Sequence, residues 1–195
     1  MPPADAYPRT ELDRREEWRA WLAEHHADLS GTWLVSFKKA SGRPAMGYEA
    51  SVEEALCFGW IDSLTRRLDA ERSMLLFTPR KPGSNWSRPN KERIERLLAA
   101  GAMEPAGLAA VERAKADGTW TALDDVEDLV VPDDLAAAFA ERPGAAEAWE
   151  AFPRSVKRGV LEWILVAKRA PTRAKRIEET AEKAARGERA NQWRG

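Results

Sequence analysis

The run Cys57 to Ser87, CFGWIDSLTRRLDAERSMLLFTPRKPGSNWS, leaves this chain few ways to fold. Trp60 to Leu68 and Ser73 to Thr78 have the length and composition of strands. The four residues Asp69 to Arg72 between them suffice for a turn but not for a crossover, so the pair predicts an antiparallel hairpin. Period-two alternation places Trp60, Asp62, Leu64 and Leu68 on one face, with Ile61, Ser63 and Thr65 opposite. Pairing then brings Trp60 and Asp62 beside Phe77 to Arg80.

The loop that follows, Pro79 to Ser87, holds Arg80, Lys81, Ser84, Asn85 and Trp86 between and beyond two prolines. Trp60, Asp62, Arg80, Lys81, Asn85 and Trp86 are therefore the candidate ligand-binding residues. A carboxylate on an apolar strand face must find a partner, and Arg80 or Lys81 across the hairpin is the nearest choice. Asp62 then either fixes the loop as an ion pair or serves as acceptor or general base in a pocket walled by Trp60 and Trp86. The loop's cations, amides and indole suit an anion or an aromatic ring, although proline-rich loops with Ser and Asn also serve as self-bonded connectors. Its glycine spacing is not that of a phosphate loop.

Elsewhere the sequence gives chemistry little. Cys57 lies late in a short helix among apolar neighbours, where the helix dipole opposes a thiolate, and reads as an inert buried thiol. His25 and His26 read as a solvated or packing pair. With one cysteine and two histidines a zinc cage is not expected, and no nucleophile, metal or cofactor motif is found. Thirty-one basic residues oppose thirty-two acidic ones, so no global field draws nucleic acid, and the basic cluster Lys168, Arg169, Arg173, Lys175 and Arg176 reads as a solvated helix face. The start shows no secretion signal, no apolar run approaches the length of a membrane span, and the single cysteine fits a cytoplasmic-type protein with no membrane insertion.

Taken in order, Thr10 and Asp13 resemble a capping box opening a helix over about 10–27. Thr32 to Lys39 alternates as a half-buried strand, and Met46 to Tyr48 offers a short return strand. Ser51 with Glu54 opens a second helix that ends at Phe58-Gly59. From Ser87 the chain is helical: Pro89, Pro105, Pro132, Pro143 and Pro153 each begin a helix, with Leu108 and Val111 inward on the second, and Thr172 caps the last. The stretch Thr119 to Val131 reads as a surface linker, and the tail GERANQWRG as loose. The predicted fold is α+β: a small antiparallel sheet with two N-terminal helices over residues 1–100, then a mostly helical region over 101–195, the two expected to pack as one unit.

The segments Trp33-Leu34-Val35, Glu54 to Ser63 (EALCFGWIDS) and Phe77 to Ser87 (FTPRKPGSNWS), with Ala167-Lys168 and Thr172 to Ile177 further on, resemble the YdeI/OmpD-associated family of bacteriocin-protection proteins over about residues 10–187. That resemblance implies a role in resistance to antibacterial peptides or an association with a porin, and brings no catalytic residues. The function expected is a non-enzymatic stress or antimicrobial-tolerance protein. It would bind a small anionic or aromatic ligand, or a peptide, at the Trp60, Asp62, Arg80 and Trp86 pocket. The alternatives are a hydrolase or transferase with Asp62 as base and Arg80 as charge stabiliser, and a module that docks a protein partner through its helical half.

Overall fold

The computed structural model describes residues 3–191, and within them the chain is α+β, as the sequence predicts. Of the tail expected to be loose, residues 192–195 lie outside the described residues, while Ala190 is buried. The chain forms two compact units that divide between Thr121 and Ala122.

The first unit runs β1 (Arg9–Glu11), α1 (Arg15–His25), β2 (Thr32–Phe37), α2 (Tyr48–Cys57), β3 (Trp60–Arg67), β4 (Arg72–Pro79), α3 (Arg88–Ala99) and α4 (Pro105–Ala116). Its boundary falls beyond residue 100 because Ile94 and Leu97 of α3, with Val111 and Ala114 of α4, share one core with Trp18, Leu56 and Phe77. The sheet order is β1-β2-β4-β3. It is mixed rather than wholly antiparallel: α1 carries the chain back across, so β1 and β2 run parallel.

The hairpin forms as predicted, with Trp60 opposite Pro79 and Asp62 opposite Phe77. From Asp62 to Thr65 the chain takes three steps against two on β4, from Phe77 to Leu75, which is a β-bulge. The extra residue reverses the alternation. Thr65 joins Asp62 on the face that carries Leu75 and Phe77, and Leu64, expected beside Trp60, is exposed.

β2 is buried on both faces over most of its length, not half-buried: Leu34 packs with Phe77 on one side, and Trp33 and Val35 pack with Tyr7 and Leu76 on the other. Thr10 does not cap α1. It lies in β1, its hydroxyl 2.9 Å from that of Thr32. No return strand forms at Met46 to Tyr48 either. Tyr48 opens α2 three residues before the predicted start, and Ser51 donates back to the Tyr48 carbonyl at 2.7 Å. On α4, Gly107 rests against the end of α2 so closely that a Cβ there would come within 2.2 Å of the Cys57 carbonyl oxygen. The buried face is Gly107, Ala110, Val111 and Ala114, and Leu108 is exposed rather than inward.

The second unit comprises α5 (Asp124–Glu127), α6 (Asp133–Ala140), α7 (Ala145–Ala151), α8 (Arg154–Leu165) and α9 (Ala170–Ala185). Proline precedes or opens helices where the sequence places it, except that α9 starts two residues before Thr172, with Pro171 in its first turn. Leu135, Phe139, Trp149, Ile164, Ile177 and Ala181 form its core. The stretch expected to be a surface linker supplies core instead: Trp120 packs in the first unit, Leu123 and Val126 in the second. No helix among the described residues is long and apolar enough to cross a membrane.

Candidate functional site

The proline-flanked loop is a packed structure. The Arg80 amide donates to the Gly59 carbonyl at 2.8 Å, which ties the loop to the start of β3. The Arg80 side chain turns inward to 8 % exposure, lies over the Trp86 ring at 3.7 Å, and donates through Nη2 to the Asn85 carbonyl. Among the described residues its Nε has no partner. Burial pushes the guanidinium down to about 10, against the pull of the Asp62 charge, so it remains a cation at neutral pH. Trp86, 1 % exposed, packs against Trp120 with ring centres 5.1 Å apart, and its amide donates to the Thr119 carbonyl at 3.2 Å. The cavity beside this loop measures about 10 Å³, no more than a single water needs.

The six residues singled out from the sequence therefore do not surround one hollow. Arg80, Asn85 and Trp86 form one packed group, Lys81 is exposed, and Trp60 is a core residue whose indole donates to the His26 carbonyl at 3.1 Å. Asp62 looks elsewhere: its Oδ2 accepts the Tyr48 hydroxyl at 3.0 Å. Among the described residues it makes no ion pair with Arg80 or Lys81, because the inward turn of Arg80 onto Trp86 takes the guanidinium away from the strand pair.

Tyr48 stands at the lip of a groove of about 780 Å³ on the Asp62 face of the sheet, a volume within the usual range for small-molecule sites. Leu34 and Leu75, paired across β2 and β4, form its floor, and Ser36 and Ser73 form the next rung. The connection between β2 and α2 makes the wall, bringing Lys38, Lys39, Arg43 and Met46 to it. Lys38 donates to the Asp69 and Ala70 carbonyls at 2.7 and 3.0 Å, and the Arg43 guanidinium lies 4.1 Å from the centre of the Phe37 ring. The bulge in β3 makes this face possible, since it returns Thr65 to the groove beside Leu75. Sequence reasoning missed the groove. The available signal was the stretch Lys38 to Tyr48, KKASGRPAMGY, which carries three cations and no carboxylate in a chain otherwise balanced in charge.

The groups near the groove suit holding better than reacting. The Tyr48 phenol is pushed up by burial and by the Asp62 charge, so it stays protonated and donates. Arg93 lies near the Tyr48 ring and is held by Glu49 at 2.6 Å. Burial pushes the Cys57 thiol up, which leaves it protonated and unreactive. Among the described residues no group of three or more His, Cys, Asp or Glu side chains is placed to hold a metal ion.

The chain thus pairs a grooved α+β unit with a small helical unit. It belongs to the family described as Domain of unknown function (DUF8412), whose model matches residues 10–110 and so more than half of the chain. Residues 128–187 match the model described as Bacteriocin-protection, YdeI or OmpD-Associated. The FGWID and TPRKPGSNWS segments and the groove fall within the first match, and the YdeI/OmpD-associated likeness lies in the second unit. No curated protein and no solved structure matches the chain.

Proposed function

We propose that the first unit is a non-enzymatic binding module that takes a small ligand in the groove between the sheet and the Lys38 to Tyr48 connection. The observation that carries this reading is the contrast of volumes: about 780 Å³ beside Tyr48 against about 10 Å³ beside the Arg80 loop. In this reading Asp62 contributes by fixing the Tyr48 hydroxyl at the rim. Arg80, Asn85 and Trp86 hold the loop that follows the hairpin, and Trp60 anchors the strand. The bacteriocin-protection description of residues 128–187 supports placing the protein in antimicrobial tolerance, and its one unpaired, buried cysteine accords with a reducing cytoplasm.

The test is a ligand screen read by thermal unfolding, since a ligand that binds only the folded state raises the midpoint. A compound that stabilises the wild-type chain should also stabilise Lys81→Ala, and should lose its effect in Ser73→Trp, where an indole fills the groove. The reverse pattern, an effect lost in Lys81→Ala and kept in Ser73→Trp, would move the site to the loop.

A further inference from the structure

The charge and shape of this groove narrow what it can hold. We infer that its ligand is an amphipathic organic anion: a single carboxylate or phosphate head on an apolar body, with the head against Lys39 and Arg43 and the body over Leu75 and Met46. This inference rests on the groove being the binding site, as proposed above, and adds the chemical class of its occupant.

Three observations support it. First, the lining contains Lys38, Lys39 and Arg43 and no carboxylate. Elsewhere in this unit Arg15, Arg19, Arg72 and Arg93 sit in ion pairs. Among the described residues none of the three groove cations does. Lys38 is held by backbone carbonyls and Arg43 by the Phe37 face, arrangements that fix position without neutralising charge. An anion entering here meets three cations that no carboxylate of the groove lining pairs with, and charge-assisted hydrogen bonds to them are stronger than neutral ones.

Second, the floor is apolar, and a multiply charged or sugar-like ligand would leave Leu75 and Met46 facing polar groups. A hydrocarbon or aromatic body covers these half-buried side chains and is stabilised by the area removed from water. Third, Ser36 and Ser73 face the groove as a directly opposed pair, and Thr65 stands beside them on the neighbouring strand. Among the described residues the Ser36, Ser73 and Thr65 hydroxyls have no side-chain partner that would turn them away from a ligand oxygen.

The surroundings also set a direction. Beyond Phe37 and Arg43 the surface opens into a shallower depression that carries Glu11, Asp13, Asp69 and Glu71, with Arg72 paired to Glu11 and Asp69. Those carboxylates repel an anionic head, so the head belongs on the groove side of Arg43. The same acidic margin also disfavours a long acidic peptide running past Phe37.

The experiment uses the full chain and the fluorescent amphipathic anion anilinonaphthalene sulfonate as reporter, displaced by decanoate, decyl phosphate, 1-decanol and decylammonium. The acids should displace it at concentrations about tenfold or more below those of decanol, and decylammonium should fail. In the double variant Lys39→Ala/Arg43→Ala, both exposed positions, acid affinity should fall about tenfold or more with decanol unchanged, and circular dichroism should match the wild type. Competition by decanol or decylammonium equal to that of the acids, undiminished acid binding in the double variant, or competition by an acidic peptide where the alkyl acids fail, would each overturn the assignment of ligand class. If such binding still disappears in Ser73→Trp, the groove itself stands. Binding of none of the probes, the reporter included, would overturn both readings.

Discussion

The Arg80 guanidinium lies 3.7 Å from the centre of the Trp86 ring, with both side chains buried and the Asn85 carbonyl closing the pair. A planar cation on an indole, held by a loop carbonyl, fixes the chain where it leaves β4 for α3. Arg80→Ala should cost about 2–4 kcal/mol in urea unfolding, from lost packing and the lost charge-assisted bond. Arg80→Lys should recover less than half of it, because an ammonium can neither stack as a plane nor reach as a fork. A loss below about 0.5 kcal/mol for Arg80→Ala would contradict this structural role.

A second buried charge ties helices together. Glu54, 3 % exposed, accepts from Arg15 at 2.5 Å and Arg19 at 2.7 Å, and Arg19 also reaches the Ala102 carbonyl at 2.9 Å. Glu54→Gln keeps the shape and removes the charge that these guanidinium groups face. The two arginines retain partial contact with water, so the expected cost is about 2 kcal/mol, below the range for fully enclosed pairs. Equilibrium unfolding measures it, and a neutral result would mean that solvent already compensates the arginines.

Gly107 lies where α4 meets the end of α2, and its missing side chain is what allows the approach to Cys57. Gly107→Ala gains helix propensity of about 1 kcal/mol, yet must push two backbones apart. The clash should win, with a net loss of about 1–3 kcal/mol and a lower thermal midpoint. Stabilisation instead would show that α4 moves freely away from α2.

In the second unit Asp134 accepts from Arg173 at 2.7 and 2.9 Å, and that hydrogen-bonded cation holds its carboxyl below the usual carboxylate range. A carboxyl depressed on folding contributes stability above its unfolded value of about 4, and that contribution is lost as pH falls through the lower folded value. For this partly exposed pair the contribution is about 0.3–1 kcal/mol. Unfolding free energies of wild type and Asp134→Asn should therefore differ by a constant amount above pH 5 and converge below about pH 4. A gap that does not narrow as pH falls below about 4 would mean the carboxyl does not act through its charge.

The fold was legible in the sequence wherever punctuation was strong. The turn at Asp69 to Arg72 and the prolines before the later helices predicted elements that the structure contains. Strict alternation failed at Leu64, because a bulge adds one residue to a strand without leaving any mark in composition. Thr10 and Thr172 carried capping chemistry that tertiary pairing and Pro171 overrode. For the site, adjacency was legible and orientation was not. Trp60 and Asp62 do start β3 opposite the end of β4, but sequence does not say whether Arg80 reaches toward Asp62 or folds onto Trp86. The groove was hidden for a related reason. Lys38, Arg43 and Tyr48 lie in what reads as a simple turn, and they become a wall only once β2 and α2 fix its two ends.

The central claim is that ligands enter on the sheet face beside Tyr48 and not at the Arg80 loop. Backbone amide chemical shifts of the labelled full chain, recorded during titration with decanoate, test it most directly. The account predicts saturable shifts concentrated in Phe37 to Tyr48, Thr65 and Ser73 to Leu75, with Lys81 to Trp86 unchanged. Shifts centred on Lys81 to Trp86, with the Phe37 to Tyr48 amides still, would contradict it.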